Sequence, residues 1–447
     1  MLFRMPIKYK VIIHLIEKII LLILGVILFI YKDFFVQDVI SGYLLLKFGI
    51  GINIYLIIKS RKIKPVAILF LFLLTYQLNL IAYYRDSFDI SGGFDLFDKI
   101  EYYNNTEWIH VLFIASIALF FPLIKKRFYF KDKIILDYSK FNYWVTFALM
   151  TYISVFGVSG EDIFAAGGYG KVELEAIGGT SIFEYFLVLV PLIYIFAGTN
   201  GLYRRLATVI IIFFLLKGLS FGYRNQILQI SLTLFALYDS PKIKYWHLFL
   251  IGIIPLYLIL IFGAIRVNPF ILFSDNLNDI LLEPINNFGF NLLGNQNDIF
   301  YASVRIFGFL EEGIISSYDR VTIAFSNLLA IVVPYSFLPD IANIAGYKQK
   351  EYGSLGGTLI SMYWYLFAGI PGVLAIGGYL AFLVKKYMTT NNKFFILYFL
   401  MVLTTYPRWV GYNQISLFKI SIYGVVYYLF LILINKVIFL FKKPQLV

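Results

Sequence analysis

The chain has 447 residues, 60% hydrophobic, 19% aromatic and only 14% charged, with no cysteine and a net charge of +12. A water-soluble protein of this length has too much surface to hide so large an apolar share, and the missing cysteines exclude disulfides, thiolate catalysis and cysteine metal sites. The positive charge lies mostly in short loops between apolar runs, which is the cytoplasmic bias of a membrane protein and not a nucleic-acid footprint.

Apolar runs approaching the ~20 residues that a membrane-crossing helix needs occur at 11–30, 39–58, 65–84, 107–124, 141–158 and 181–198. They continue at 206–221, 225–238, 247–265, 358–384, 394–407 and 415–436. The first follows the basic stretch "MLFRMPIKYK" and is followed by no small-residue cleavage site, so a retained helix is expected. The loops then alternate in character. One set reads "KSRKIK", "KKRFYFKDK", "LYRR", "SPKIK" and "KKYMTTNNK"; the other includes "YRDSFDISGGFDLFDKIEYYNNTE" and "SGEDIFAAGGYGKVELEAIGGT". Short basic loops face the cytoplasm and long acidic ones face outward. The expectation is an all-α polytopic membrane protein, a single membrane domain over 1–447, with about twelve spans and both termini cytoplasmic.

Between the ninth and tenth spans lies 266–357, roughly 90 residues where about 4–6 is usual for a connection. This outer loop must carry structure of its own. The 13-residue apolar run Val321 to Val333 within it is too short to span and reads as a re-entrant or interfacial helix. There is no phosphate-binding GxxxxGK[ST], no GxGxxG and no HExxH. His14, His110 and His247 all lie in or beside spans, and neither a metal nor a cofactor is expected.

The informative residues are cations on the outward side. Arg224, Arg266, Arg305, Arg320 and Arg408 fall where the orientation rule depletes them. The spans flanking "FGYRNQ" are short, so Arg224 and its neighbour Tyr223 should sit below the outer membrane surface, with Lys217 deeper still. Arg408 follows Pro407 at the break of another short span. Charge at that depth costs at least ~2.5–3.5 kcal/mol unless it is partnered or hydrated. Carboxylates are scarce in the outer halves of the spans, with Glu184 the main exception. An anionic ligand is therefore expected, and the planar guanidinium fork suits the oxygens of a membrane-anchored diphosphate. Glu311, Glu312 and Asp319 in "SVRIFGFLEEGIISSYDR" are candidates for a general base. Tyr363, Trp364 and Trp409 are available to stack on sugar rings, or to form the aromatic belt of a membrane interface.

This pattern resembles the oligosaccharide repeat-unit polymerases, the O-antigen polymerase (Wzy-type) family. The likeness lies in the span layout, the cytoplasmic ends and the late outer loop. It lies also in "LSFGYRNQILQI", similar to the family's Gly-x-Arg turn, and in "GGTLISMYWYLFAGIPGV", similar to its glycine-rich approach to the span after the large loop. Met362 stands where members often carry a glutamate. The resemblance implies a GT-C-like membrane glycosyltransferase that needs no metal or nucleotide sugar. Its substrates would be two undecaprenyl-diphosphate-linked oligosaccharides, and the growing glycan would move en bloc to the non-reducing end of a new unit. Membrane lipids and a chain-length regulator protein are the partners it implies, and nucleic acid is not among them. An O-antigen ligase is the nearest alternative, but its expected loop histidine is absent from 266–357. A lipid-linked oligosaccharide flippase or other transporter would show internal repeats and buried charge at the membrane midplane.

Overall fold

A computed structural model describes residues 7–85, 99–134, 136–157, 184–220, 224–243, 294–333, 337–344 and 357–442. The described residues are helical and contain no strand. In chain order the helices are α1 (Ile7–Ile30), α2 (Lys32–Val36), α3 (Val39–Ser60), α4 (Lys64–Arg85), α5 (Ile100–Phe120), α6 (Phe130–Lys133), α7 (Lys140–Phe156) and α8 (Phe186–Ala197). They continue as α9 (Gly201–Ser220), α10 (Arg224–Tyr238), α11 (Gly294–Glu311), α12 (Ser317–Leu329), α13 (Ile360–Thr389), α14 (Lys393–Thr404), α15 (Tyr406–Trp409) and α16 (Ser416–Lys442).

Four helical stretches among the described residues are long and apolar enough to cross a membrane: Val11–Ile30, Val39–Ser60, Ile360–Thr389 and Ser416–Ile438. Shorter apolar helices lie at Lys64–Leu78, Phe186–Ala197 and Lys393–Thr404. At 12 residues, α8 and α14 reach only ~18 Å, against a hydrocarbon core of ~30 Å. The expected span 247–265 lies outside the described residues.

The chain forms two compact units that interleave in sequence. The first comprises Met1–Phe128, Leu293–Thr390 and Arg408–Ser416; the second comprises Tyr129–Leu292, Asn391–Pro407 and Leu417–Val447.

In the first unit α5 is the central helix, with α13, α3, α11, α1 and α2 packed around it. Its first two turns correct the sequence reading. The polar run Tyr102, Tyr103, Asn104, Asn105 and Thr106 was expected in an outer loop that ended at Glu107, the first residue of the expected span 107–124, yet all six residues are buried on the helix. They fold because each finds a partner. Asn104 donates to the carbonyls of Val36 (3.2 Å) and Asp38 (2.9 Å), and Thr106 donates back to Tyr102 O at 2.8 Å. The Trp108 indole donates to Leu28 O of α1 at 2.8 Å, and Lys18 of α1 donates to Ala118 O in the last turn of α5.

In the second unit α8 is buried along its whole length, against α7, α9 and α10. Phe186 of α8 stacks on Phe214 of α9 with ring centroids 3.8 Å apart. Tyr143 of α7 stacks on Tyr203 at 4.4 Å, and its hydroxyl donates to Tyr203 O at 2.8 Å.

The short apolar run of the late loop forms α12, which starts four residues ahead of Val321. Ser316 and Asp319 start it by a reciprocal capping box. Ile323, Ser326 and Asn327 turn inward, whereas Tyr318, Val321, Phe325 and Leu328 form an exposed apolar stripe at helical spacing.

Candidate functional site

The cationic residues expected to hold an anion fall into both units. Arg266 and Tyr223 lie outside the described residues. Arg224 opens α10 in the second unit, at the N-terminus of the 15-residue helix.

Lys217 lies in the last turn of α9 and is 7% exposed. Its ammonium donates to Val155 O at 2.6 Å, one residue before the end of α7. The last carbonyls of a helix have no backbone donor, and a cation placed there satisfies one of them.

Arg320 does the same for a helix broken in its middle. Ala368 (φ −142°, ψ 16°) and Gly369 (φ 63°, ψ −147°) leave helical geometry inside α13. The positive φ at 369 is one that glycine adopts without a Cβ penalty, and Pro371 two residues on carries no N–H. A break of this kind takes the carbonyls of the preceding turn away from their donors. Arg320 Nε donates to Leu366 O (2.9 Å) and its Nη2 to Tyr365 O (3.1 Å). The partner of a deep cation was expected to be a carboxylate or an external anion. For Lys217 and Arg320 backbone carbonyls fill that place.

Arg305 of α11 is 1% exposed, and its guanidinium lies 5.0 Å from the centre of the Tyr301 ring, one turn earlier. Arg408 is half-buried in the four-residue helix α15. Its carbonyl accepts from the amides of Tyr412 (3.0 Å) and Asn413 (2.9 Å), which turns the chain back sharply. That turn docks on the lead-in to α13: Ile360 N donates to Val410 O at 2.8 Å, and Gly357 packs against Gly411 O and Tyr412. Arg408 is within electrostatic reach of the Tyr363 hydroxyl. Gln414 donates to Asn327 Oδ1 of α12 at 2.8 Å, so the turn is also tied to α12. Trp409 is wholly buried and Tyr363 is 6% exposed, so neither presents a free face to a sugar here.

The three candidate acids separate by what they already do. Asp319 accepts from Ser316 N (2.9 Å) and Ser316 Oγ (2.8 Å) in the capping box. Glu312 accepts from Lys99 Nζ at 2.7 Å and from the Tyr102 hydroxyl at 2.6 Å. Hydrogen bonds from Lys99 first and Tyr102 second hold the Glu312 carboxyl below its ordinary value, and the bond to Glu312 raises the Lys99 ammonium. Glu311 is exposed at the end of α11 and makes no hydrogen bond among the described residues.

One cluster escaped the sequence reading. Glu107 is 0% exposed, and its Oε1 accepts a single amide bond, from Gln77 Nε2 of α4 at 3.3 Å. Gln77 Oε1 accepts in turn from Asn53 Nδ2 of α3 at 2.6 Å. Glu107 Oε2 and Asn53 Oδ1 are buried and have no partner among the described residues. One turn further along α5, His110 Nδ1 lies 3.4 Å from Ser361 Oγ of α13. The signal was present: a glutamate and a histidine at i and i+3 share one helix face. It was missed because the polar run before Glu107 reads as loop. Among the described residues no three His, Asp or Glu side chains gather closely enough to hold a metal ion.

No protein-family model, no curated protein and no solved structure matches this sequence.

Proposed function

We propose that the chain is an inner-membrane polymerase of undecaprenyl-diphosphate-linked oligosaccharide repeat units, acting at the periplasmic face. It would serve the synthesis of O-antigen or a related surface polysaccharide. The observation that carries this reading is Arg408. A half-buried guanidinium stands in a four-residue helix, just beyond the 12-residue α14. On this reading a helix too short for a full crossing would hold the cation below the headgroups, at the level of a lipid diphosphate.

In the reaction, the acceptor hydroxyl oxygen forms a bond to the anomeric carbon of the donor glycan. The bond from that carbon to the diphosphate oxygen breaks, and undecaprenyl diphosphate leaves with the electron pair. Arg408, with Arg305 of the same unit as a further candidate, stabilises the charge developing on the diphosphate. The hydroxyl proton goes to a carboxylate. Glu311 is preferred over Glu312 and Asp319 because they are engaged in a surface ion pair and a helix cap. The exposed stripe of α12 suits the lipid interface. Replacement of Arg408 by alanine should abolish chain extension at unchanged expression; normal chain lengths would remove the residue from the mechanism.

A second reading, a lipid-linked oligosaccharide transporter, is favoured by one observation, the buried carboxylate of Glu107. Under that reading a cell lacking the protein accumulates lipid-linked units on the cytoplasmic side. Under the first it displays single units on its surface.

A further inference from the structure

We propose that Glu107, Gln77 and Asn53 form an intramembrane proton-binding site in the helix core of the first unit. The proposal does not depend on which of the two functional readings holds.

Burial and bonding carry it. An ionised carboxylate offers about four acceptor positions, and Glu107, with no exposed surface, receives one amide hydrogen bond. An isolated charge in an apolar interior is so unfavourable that the group neutralises instead.

Among the described residues no other charge is placed to offset it. The cations on the surrounding helices are engaged elsewhere. Lys18 of α1 binds Ala118 O, Lys32 of α2 lies 5.3 Å over the Trp108 ring, and Arg305 of α11 lies over Tyr301. Towards this face of α5, α3 and α4 bring the neutral amides of Asn53 and Gln77, and α13 brings Ser361 to the neighbouring His110. A proton on Glu107 is the remaining way to neutralise it.

The two amides also give the proton a structural effect. Amide oxygen and nitrogen are exchanged by a simple turn of the side chain. With Glu107 ionised, Asn53 donates to Gln77 and Gln77 donates to Glu107, and two acceptors are left open, Asn53 Oδ1 and Glu107 Oε2. With Glu107 protonated the relay runs in reverse. The carboxyl O–H donates to Gln77 Oε1, and Gln77 Nε2 donates to Asn53 Oδ1. One proton bound thus reverses a hydrogen-bond chain that links α5, α4 and α3. Gly49 keeps the chain in place, because a Cβ there would run into the Gln77 amide and come within 2.8 Å of Val111 Cγ2.

The test is infrared difference spectroscopy of the purified full chain in lipid vesicles, titrated with pH. The proposal expects the carbonyl stretch of a protonated carboxyl at neutral pH, lost in Glu107→Gln and moved but retained in Glu107→Asp. Gln77→Leu removes the amide that favours the ionised form, so the band should persist to higher pH. The wild-type titration needs no variant, so a poorly folding mutant leaves the test intact. Absence of a protonated-carboxyl band at neutral pH overturns the proposal. Loss of the band on adding sodium or potassium salt also overturns it, in favour of a metal-cation site.

Discussion

Arg320 offers the most quantitative test of how this chain satisfies its backbone in an apolar setting. Replacement by alanine removes two hydrogen bonds, to Leu366 O and Tyr365 O, at the break in α13. A hydrogen bond to a charged group contributes about 1.5–3 kcal/mol. Arg320 is partly exposed, so water recovers part of the loss, and about 2–4 kcal/mol of destabilisation is expected for the pair. The assay is thermal unfolding of the purified protein in detergent or nanodiscs, with hydrogen exchange followed on the peptide covering 360–372. Arg320→Ala should lower Tm by several degrees and speed exchange around the break. Arg320→Lys should recover part of the loss, since one ammonium can serve one carbonyl. An unchanged Tm and exchange pattern would refute the capping role and return Arg320 to the ligand-binding candidates.

Gly49→Ala should destabilise by about 1–3 kcal/mol through overpacking against Gln77 and Val111, seen as a lower Tm. Lys217→Ala should likewise lower Tm and speed exchange at the C-terminal turn of α7, where Val155 loses its donor. For the surface pair Lys99–Glu312 the sign follows from the two shifts. Glu312 is depressed in the fold, so its contribution is present above the ordinary carboxylate value of 4.5 and fades as pH falls through the folded value. Lys99 is raised, so its contribution is complete below 10.5 and fades as pH rises through the folded value. Glu312→Gln should therefore weaken protection at the start of α5 at neutral pH, with the difference from wild type vanishing in acid and shrinking in high salt. A difference independent of pH would contradict the ion-pair reading.

Helices with a long uniform apolar run were legible from hydropathy alone. The expected 39–58 and 415–436 correspond to α3 and α16, because nothing polar interrupts those runs enough to mask them. The start of α5 was not legible. Asn104 looks like a loop residue and Glu107 like the edge of a span until the carbonyls of Val36 and Asp38 and the amide of Gln77 are seen to receive them. Those partners come from residues 30 or more positions away, which no local pattern contains. The break in α13 was foreshadowed by Gly369 and Pro371, but that Arg320 would cap it depends on how α12 packs on α13. The sequence reading singled out these cations by the apolar runs around them. What composition could not reveal is that a cation in an apolar surrounding can be stabilised by the carbonyl end of a helix as well as by an anion. Arg408 keeps its place in the proposed site on position, in a short helix that follows the 12-residue apolar helix α14. Glu311 keeps its place because its carboxyl makes no hydrogen bond among the described residues.

The central claim is tested most directly by supplying the purified chain, in vesicles, with a synthetic undecaprenyl-diphosphate-linked repeat unit and resolving the products by gel. The account predicts a ladder of lengthened lipid-linked glycans with release of undecaprenyl diphosphate, absent with Arg408→Ala. It is contradicted if the unit stays unextended, whether it is moved intact to another lipid or merely carried across the bilayer.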